Sequence, residues 1–178
     1  MLNRWEPIKG TTIIGIGHKA RQGKDTAANY LRDNFGAVKF SFANGLYTVA
    51  RALFGMTEKD APLLQALGTE VGRRNDSDRW VRTLYYQIKD ECPRIAVIPD
   101  CRFPNEADFV KQLGGFMIKV VRLDKNGERF VAPDRSHDHP SEVALDDYTD
   151  WDSVIVSTDG DIEGLQQAAA ESLQGCVA

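Results

Sequence analysis

The chain is poor in cysteine, in long apolar runs and in excess positive charge, and each shortage removes a class of protein. Its three cysteines, Cys92, Cys101 and Cys176, form neither a CxxC pair nor an even-numbered set. That argues against a disulfide framework and points to a reducing compartment, with cytoplasm the simplest expectation. No apolar run approaches the roughly 18 residues a membrane span requires, and no N-terminal targeting or lipidation pattern is present. The net charge is −4, where a general nucleic-acid binder needs a basic excess to displace counterions. Nucleic acid is therefore not the expected partner, and neither is a membrane. There is also no internal repeat, low-complexity tract or composition break to divide the chain. With 178 residues, 42% of them hydrophobic and 27% charged, the chain reads as one globular domain, 1–178, with one sizeable core.

What is present begins at Thr11–Ile16, a short apolar run followed by Gly17-His18-Lys19-Ala20-Arg21-Gln22-Gly23-Lys24-Asp25-Thr26 and a helix-period segment to Phe35. Strand, glycine- and lysine-rich turn, then helix is the order a phosphate-binding loop requires. Backbone amides and the positive end of the helix face one anion, and Lys24 reaches the transferable phosphate. The pattern departs from GxxxxGK[ST] twice. Position 18, where the first glycine belongs, is His18, so either the loop is one residue longer and anchored on Gly17, or His18 adopts the glycine conformation. Asp25 replaces the usual hydroxyl residue, with Thr26 next; both are hard oxygen ligands suited to Mg²⁺. The plain alternative is an ordinary strand-to-helix connection.

Farther on, a second strand is expected over Val38–Phe42, then a helix from Asn44 to Phe54 ended by Gly55. The stretch 57–91 reads as helical with a break at Asn75–Asp78, Leu63, Leu64, Leu67 and Val71 making one face and Gln65, Glu70, Arg73 and Arg74 lying around it. A core stripe of Trp80, Val81, Leu84, Tyr85 and Ile88 follows. Another apolar strand from Arg94 ends in the polar cluster Asp100-Cys101-Arg102-Phe103-Pro104-Asn105-Glu106, which opens a helix to about Leu113. In open parallel sheets ligands sit at the carboxyl ends of strands, so this cluster and the phosphate loop are aimed at one crevice. There Asp100 is placed to orient a hydroxyl or a metal-bound water, and Arg102 to neutralise phosphate. The competing reading is an Asp100–Arg102 or Arg102–Glu106 pair that merely fixes the turn.

A strand over Gly115–Leu123 precedes 124–140, a polar stretch holding Lys125, Arg129 and Arg135, which reads as a lid closing over the site, with a solvated surface loop as the equal alternative on composition. His137 and His139 flank Asp138, but without a third well-spaced ligand zinc is not expected. A short helix from Ser141, a last strand over Ser153–Val156 and a helix over Ile162–Leu173 complete the chain. Strands alternating with helices behind a phosphate loop imply a three-layer α/β sandwich with a parallel sheet of about five strands, an architecture shared by P-loop kinases, GTPases, motors and regulatory switches. No Asn-Lys-x-Asp segment supports guanine selection.

Gly23-Lys24-Asp25-Thr26 behind Lys19-Ala20-Arg21, then 64–70 (Leu-Gln-Ala-Leu-Gly-Thr-Glu), Trp80-Val81, the Asp100–Glu106 run and His139-Pro140-Ser141-Glu142 together resemble the bacteriophage-type deoxynucleoside monophosphate kinases. The matching segments span residues 13 to 156 in the same order. The resemblance implies ATP with Mg²⁺ as donor, a deoxynucleoside monophosphate as acceptor and a diphosphate as product. It assigns ATP to residues 17–26, metal contacts to Asp25, Thr26 and Asp100, and the acceptor to Trp80, Asp100 and Arg102, with Gln65, Glu70, Arg73 and Glu106 around it. Lys24, Asp25, Arg102 and one lid arginine, Arg129 or Arg135, are the candidates for offsetting charge during transfer. Alternatives are a related kinase acting on dephospho-coenzyme A, a nucleoside or a modified base in DNA; a non-enzymatic nucleotide-binding switch; and a protein whose loop has lost its ligand. A homodimer is left open.

Overall fold

A computed structural model describes residues 4–74, 76–131 and 138–177. Five parallel strands form one sheet in the order β2-β3-β1-β4-β5: β1 Thr12–Gly17, β2 Val38–Lys39, β3 Ile95–Cys101, β4 Phe116–Leu123 and β5 Ser153–Thr158. β1 and β3 are central and buried on both faces, which is why their sequences are nearly continuous apolar runs.

Helices cover both faces. On one, Ala27, Ala28 and Leu31 of α1 (Lys24–Phe35) and Leu165, Ala169 and Leu173 of α7 (Ile162–Val177) pack on Ile14, Ile16, Val97, Ile118 and Ile155. On the other, Ile13, Ile98 and Met117 meet Phe42 of α2 (Phe42–Phe54), Val81, Leu84 and Ile88 of α4 (Arg79–Glu91), and Phe109 of α5 (Pro104–Gln112). Trp5 of the lead-in closes this second core, its ring 5.2 Å from Tyr85 and 5.5 Å from Phe109. The expected three-layer α/β sandwich is therefore present.

The strand order explains the location of the site. From β1 the chain leaves through α1 toward β2; from β3 it leaves through α5 toward β4, on the opposite face. The carboxyl ends of adjacent β1 and β3 therefore bound a crevice. Their register slips by one residue between Gly15↔Ile98 and Gly17↔Cys101, beside Pro99, which has no N–H to give to a ladder.

Three expectations need correction. The second strand is two residues long, not five, because Ser41 is an N-cap whose Oγ accepts the Ala43 N–H (3.1 Å) and starts α2 at Phe42. Besides the expected break before α4, residues 57–91 hold a change of pitch: α3 (Ala61–Gln65), capped by Asp60, continues into a wide π-helical segment, Ala66–Arg73. The stretch after β4 is not a structureless loop at its start. Asp124 accepts the N–H groups of Asn126 and Glu128, and the chain turns back to bridge Arg129 to Leu123. Arg135 and His137 lie outside the described residues.

Candidate functional site

The loop between β1 and α1 follows from its local sequence. His18 and Arg21 take left-handed backbone conformations (φ 89° and 56°), and Gly23 closes the loop at φ 100° with a hydrogen in the place where a Cβ would lie 2.7 Å from Leu165 Cδ2. His18 thus does adopt the conformation normally left to glycine. Its buried ring, whose Nε2 is 2.9 Å from Asp146, lies edge-on to Trp151. Asp146 also accepts Lys19 Nζ at 2.8 Å. Burial, helped by the charges of Lys119, Arg129 and Lys19, lowers the His18 pKa to about 4 despite the Asp146 hydrogen bond. Burial works against the Asp146 charge, but hydrogen bonds from Lys19 and His18 prevail and hold its carboxyl below the usual range.

Lys24, the first residue of α1, is buried and donates its ammonium to the Lys19 carbonyl inside the loop. Burial, then the nearby Arg102 charge, brings its pKa down to about 7, while Glu142, Asp25 and Asp100 pull the other way. Gln22 is buried too: its carbonyl accepts the Arg122 N–H (2.6 Å) and its amide donates to Phe130 O (3.0 Å), fastening the loop to the turn after β4. Asp25 is largely exposed beside Thr26 on the first helical turn and pairs with Lys39 at 2.6 Å.

At the end of β3, Asp100 is half-buried and faces α2. Its carboxylate accepts Ser41 Oγ (2.6 Å) and the N–H groups of Phe42 and Ala43 (both 3.1 Å). Burial raises its pKa, opposed by those three donors and by the Arg102 charge. Glu106, at 1% exposure, accepts Arg73 Nη2 (2.6 Å) and the backbone N–H groups of Arg102 (2.7 Å) and Phe103 (3.1 Å); burial raises its pKa while Arg73 lowers it. The Arg73 guanidinium lies 4.0 Å from the centre of the Phe103 ring.

Arg73, Asp100, Arg102 and Glu106 line a cavity of about 220 Å³ with Phe42, Ala43, Leu46, Gly68, Trp80 and Ser141. Trp80 is fixed as a wall by its Nε1 bond to Gly68 O (3.2 Å). Gly72 lets it pass, since a Cβ there would sit 2.6 Å from the indole nitrogen. One side chain joins this cavity to the phosphate loop: Glu142 of α6 (Pro140–Val143) accepts the Ala20 N–H at 2.8 Å and Arg102 Nη1 at 2.6 Å.

The structure thus gathers Lys24, the loop, Arg73, Trp80, Asp100, Arg102 and Glu106 at one crevice. Arg129 is exposed on the turn after β4, where its charge acts on the loop residue His18 and on Lys119. Gln65 and Glu70 lie on the α3 and π-helical segments, their side chains outside the described residues. Sequence reasoning gave no role to Ser41, Glu142, Asp146 or Trp151. Of these only Glu142 carried a signal, as the last residue of the His139-Pro140-Ser141-Glu142 run. No group of three metal-ligating side chains occurs among the described residues, and none of their helices is long and apolar enough to cross a membrane.

A five-stranded parallel sheet flanked by helices, with a glycine- and lysine-rich loop at the amino end of α1, matches the P-loop kinase fold. A protein of Chloroflexus aurantiacus, described as a "putative kinase", shares the fold at a TM-score of 0.51 and 11% identity, over 94% of this chain and 98% of that one. No family model matches the chain. Among curated proteins, the mimivirus "Putative deoxynucleotide monophosphate kinase" (Acanthamoeba polyphaga mimivirus) is 32% identical over 82% of this chain and 88% of its own length. The deoxynucleoside-5'-monophosphate kinase of Escherichia phage T5 is 31% identical over 52% of this chain and 37% of its own length. The chain belongs to the deoxynucleotide monophosphate kinase family.

Proposed function

We propose that the protein transfers the γ-phosphoryl group of ATP to a deoxynucleoside monophosphate, giving a deoxynucleoside diphosphate and ADP. The observation that carries this reading is the single crevice in which the loop holding Lys24 and the cavity lined by Arg73 and Arg102 adjoin through Glu142. A donor site alone would serve a switch; a second, arginine-lined cavity beside it serves an acceptor phosphate.

In this reading the amides of residues 17–24 and the amino end of α1 hold the ATP phosphates, and Lys24 leaves the Lys19 carbonyl to reach them. The cavity seats the acceptor, with Trp80 as a wall and Arg73 and Arg102 toward its phosphate. An acceptor phosphate oxygen then bonds to the γ-phosphorus as the bond to the β–γ bridging oxygen breaks, and ADP departs with that electron pair. Arg102 offsets the charge that spreads over the transferring group, worth on the order of 10³-fold in turnover. Arg129 adds positive charge from the 124–140 lid, and the helical 57–91 stretch forms the acceptor side.

The carboxylate of Asp25 and the adjacent Thr26 hydroxyl are hard oxygen donors on an open turn, so they fit Mg²⁺ once Lys39 yields its pair. Bound there, Mg²⁺ would supply charge neutralisation at the phosphate oxygens. The metal role expected of Asp100 has less room, because both its oxygens already accept bonds from Ser41, Phe42 and Ala43.

The test is a product assay. Purified protein with Mg-ATP and each deoxynucleoside monophosphate, ribonucleotide or dephospho-coenzyme A is resolved by chromatography. New deoxynucleoside diphosphate is the expected result; ADP without it, or phosphorylated dephospho-coenzyme A alone, overturns the reading.

A further inference from the structure

We propose that Glu142 is a positioning residue for phosphoryl transfer, holding the acceptor-side arginine and the phosphate loop in fixed relation; this rests on the kinase reading above. The residue is buried and its two carboxylate oxygens are used on different elements. Oε2 accepts the Ala20 N–H of the loop at 2.8 Å, and Oε1 accepts Arg102 Nη1 at 2.6 Å. Ala20 and Glu142 are 122 positions apart in sequence, so the bond is a tertiary clamp and not a local turn.

Arg102 is held at both ends. Glu106 accepts its backbone N–H at 2.7 Å, and Glu142 with the Ser141 carbonyl, 3.4 Å from Nη1, fixes its guanidinium. An unrestrained arginine loses rotamer freedom when it must meet a transient charge; one already held does not. The clamp is itself supported. The His139 ring nitrogen Nδ1 accepts the Ser141 N–H at 3.2 Å and stands 2.8 Å from Ser141 Oγ, setting the entry to α6. Four residues after Glu142, Asp146 grips His18 and Lys19, so one segment touches the loop at His18, Lys19 and Ala20.

The geometry separates this role from plain structural glue. Glu142→Gln preserves shape and an acceptor for the Ala20 N–H but removes the charge that holds Arg102. In steady-state kinetics saturating in both nucleotides, kcat is expected to fall about 10²-fold, the scale of a 1 Å misplacement, with the KM for ATP within about threefold of the parent. Because Glu142 acts through Arg102, the double variant Arg102→Ala/Glu142→Gln should be no slower than Arg102→Ala alone. If Glu142→Gln does not fold, Glu142→Asp, one methylene too short to span both partners, is read in the same way. A kcat within twofold of the parent, or losses that multiply in the double variant, overturns the assignment while leaving the kinase reading intact. A parent protein that makes no deoxynucleoside diphosphate in the same assay overturns both.

Discussion

His18 offers a quantitative test of how the loop is built. The ring is buried, and its folded pKa of about 4 lies about 2.5 pH units below the ordinary 6.5. Each unit is worth about 1.36 kcal/mol, so the free protein should lose about 3 kcal/mol of stability on acidification through this one group. The sign follows from proton counting. Between pH 6.5 and 4 the unfolded chain binds a proton on His18 that the folded chain refuses, so stability falls as pH falls; above 6.5 the contribution is complete, and below 4 nothing more is lost. His18→Gln keeps a non-glycine residue at φ 89° and a donor for Asp146 but cannot titrate. Urea denaturation at half-unit steps from pH 7.5 to 4 should give curves for parent and variant that separate by about 3 kcal/mol across this window, after carboxylates common to both have cancelled. Parallel curves would refute the account of His18 as a neutral, buried strut.

Lys24→Ala should lower turnover by at least about 10³-fold with circular dichroism unchanged, because the Lys24 ammonium donates to the Lys19 carbonyl of its own loop and is proposed to reach phosphate; retained turnover would remove it from the donor site. Gly72→Ala drives a methyl group to 2.6 Å from Trp80 Nε1, so the indole must leave the Gly68 carbonyl, and the acceptor KM should rise about tenfold with little change for ATP. Asp100→Asn leaves a single acceptor oxygen where three donors converge, and should cost about 2 kcal/mol in chemical denaturation with ATP-analogue affinity preserved.

The parts legible in the sequence are those whose cause is local. β1, its loop and α1 are contiguous, and Ile13, Ile14 and Ile16 before the glycines, then Ala27, Ala28 and Leu31 at helical spacing, state both the elements and the faces they bury. The same holds for β3 and the cluster after it. Where apolar residues are buried for different reasons the pattern misleads: Phe40 and Phe42 look like one strand, yet Ser41 between them caps a helix, and only Phe40 continues the sheet by donating to Val97 O (2.9 Å). Side-chain hydrogen bonding at a single residue decided that boundary, and periodicity does not register it.

The site shows the other limit. A carboxylate at the carboxyl end of a central strand reads as a ligand for substrate or metal, and Asp100 carries that expectation. The adjacent helix start competes for the same oxygens, because the first amides of α2 have no partner within their own helix. Ser41, Phe42 and Ala43 supply three donors at 2.6 to 3.1 Å, so Asp100 fixes the wall of the cavity from within. Glu142 and Asp146 are the converse: acidic residues in a segment with no strong pattern, carried by the return of the chain after β4 to within hydrogen-bond reach of a loop more than a hundred positions earlier. Asp100 thus leaves the metal role that sequence alone would give it, while Glu142 and Asp146 take roles that sequence alone did not give them. Each outcome follows from which unsatisfied donors the topology brings within hydrogen-bond reach, and Arg102, between Glu106 and Glu142, is positioned by that competition.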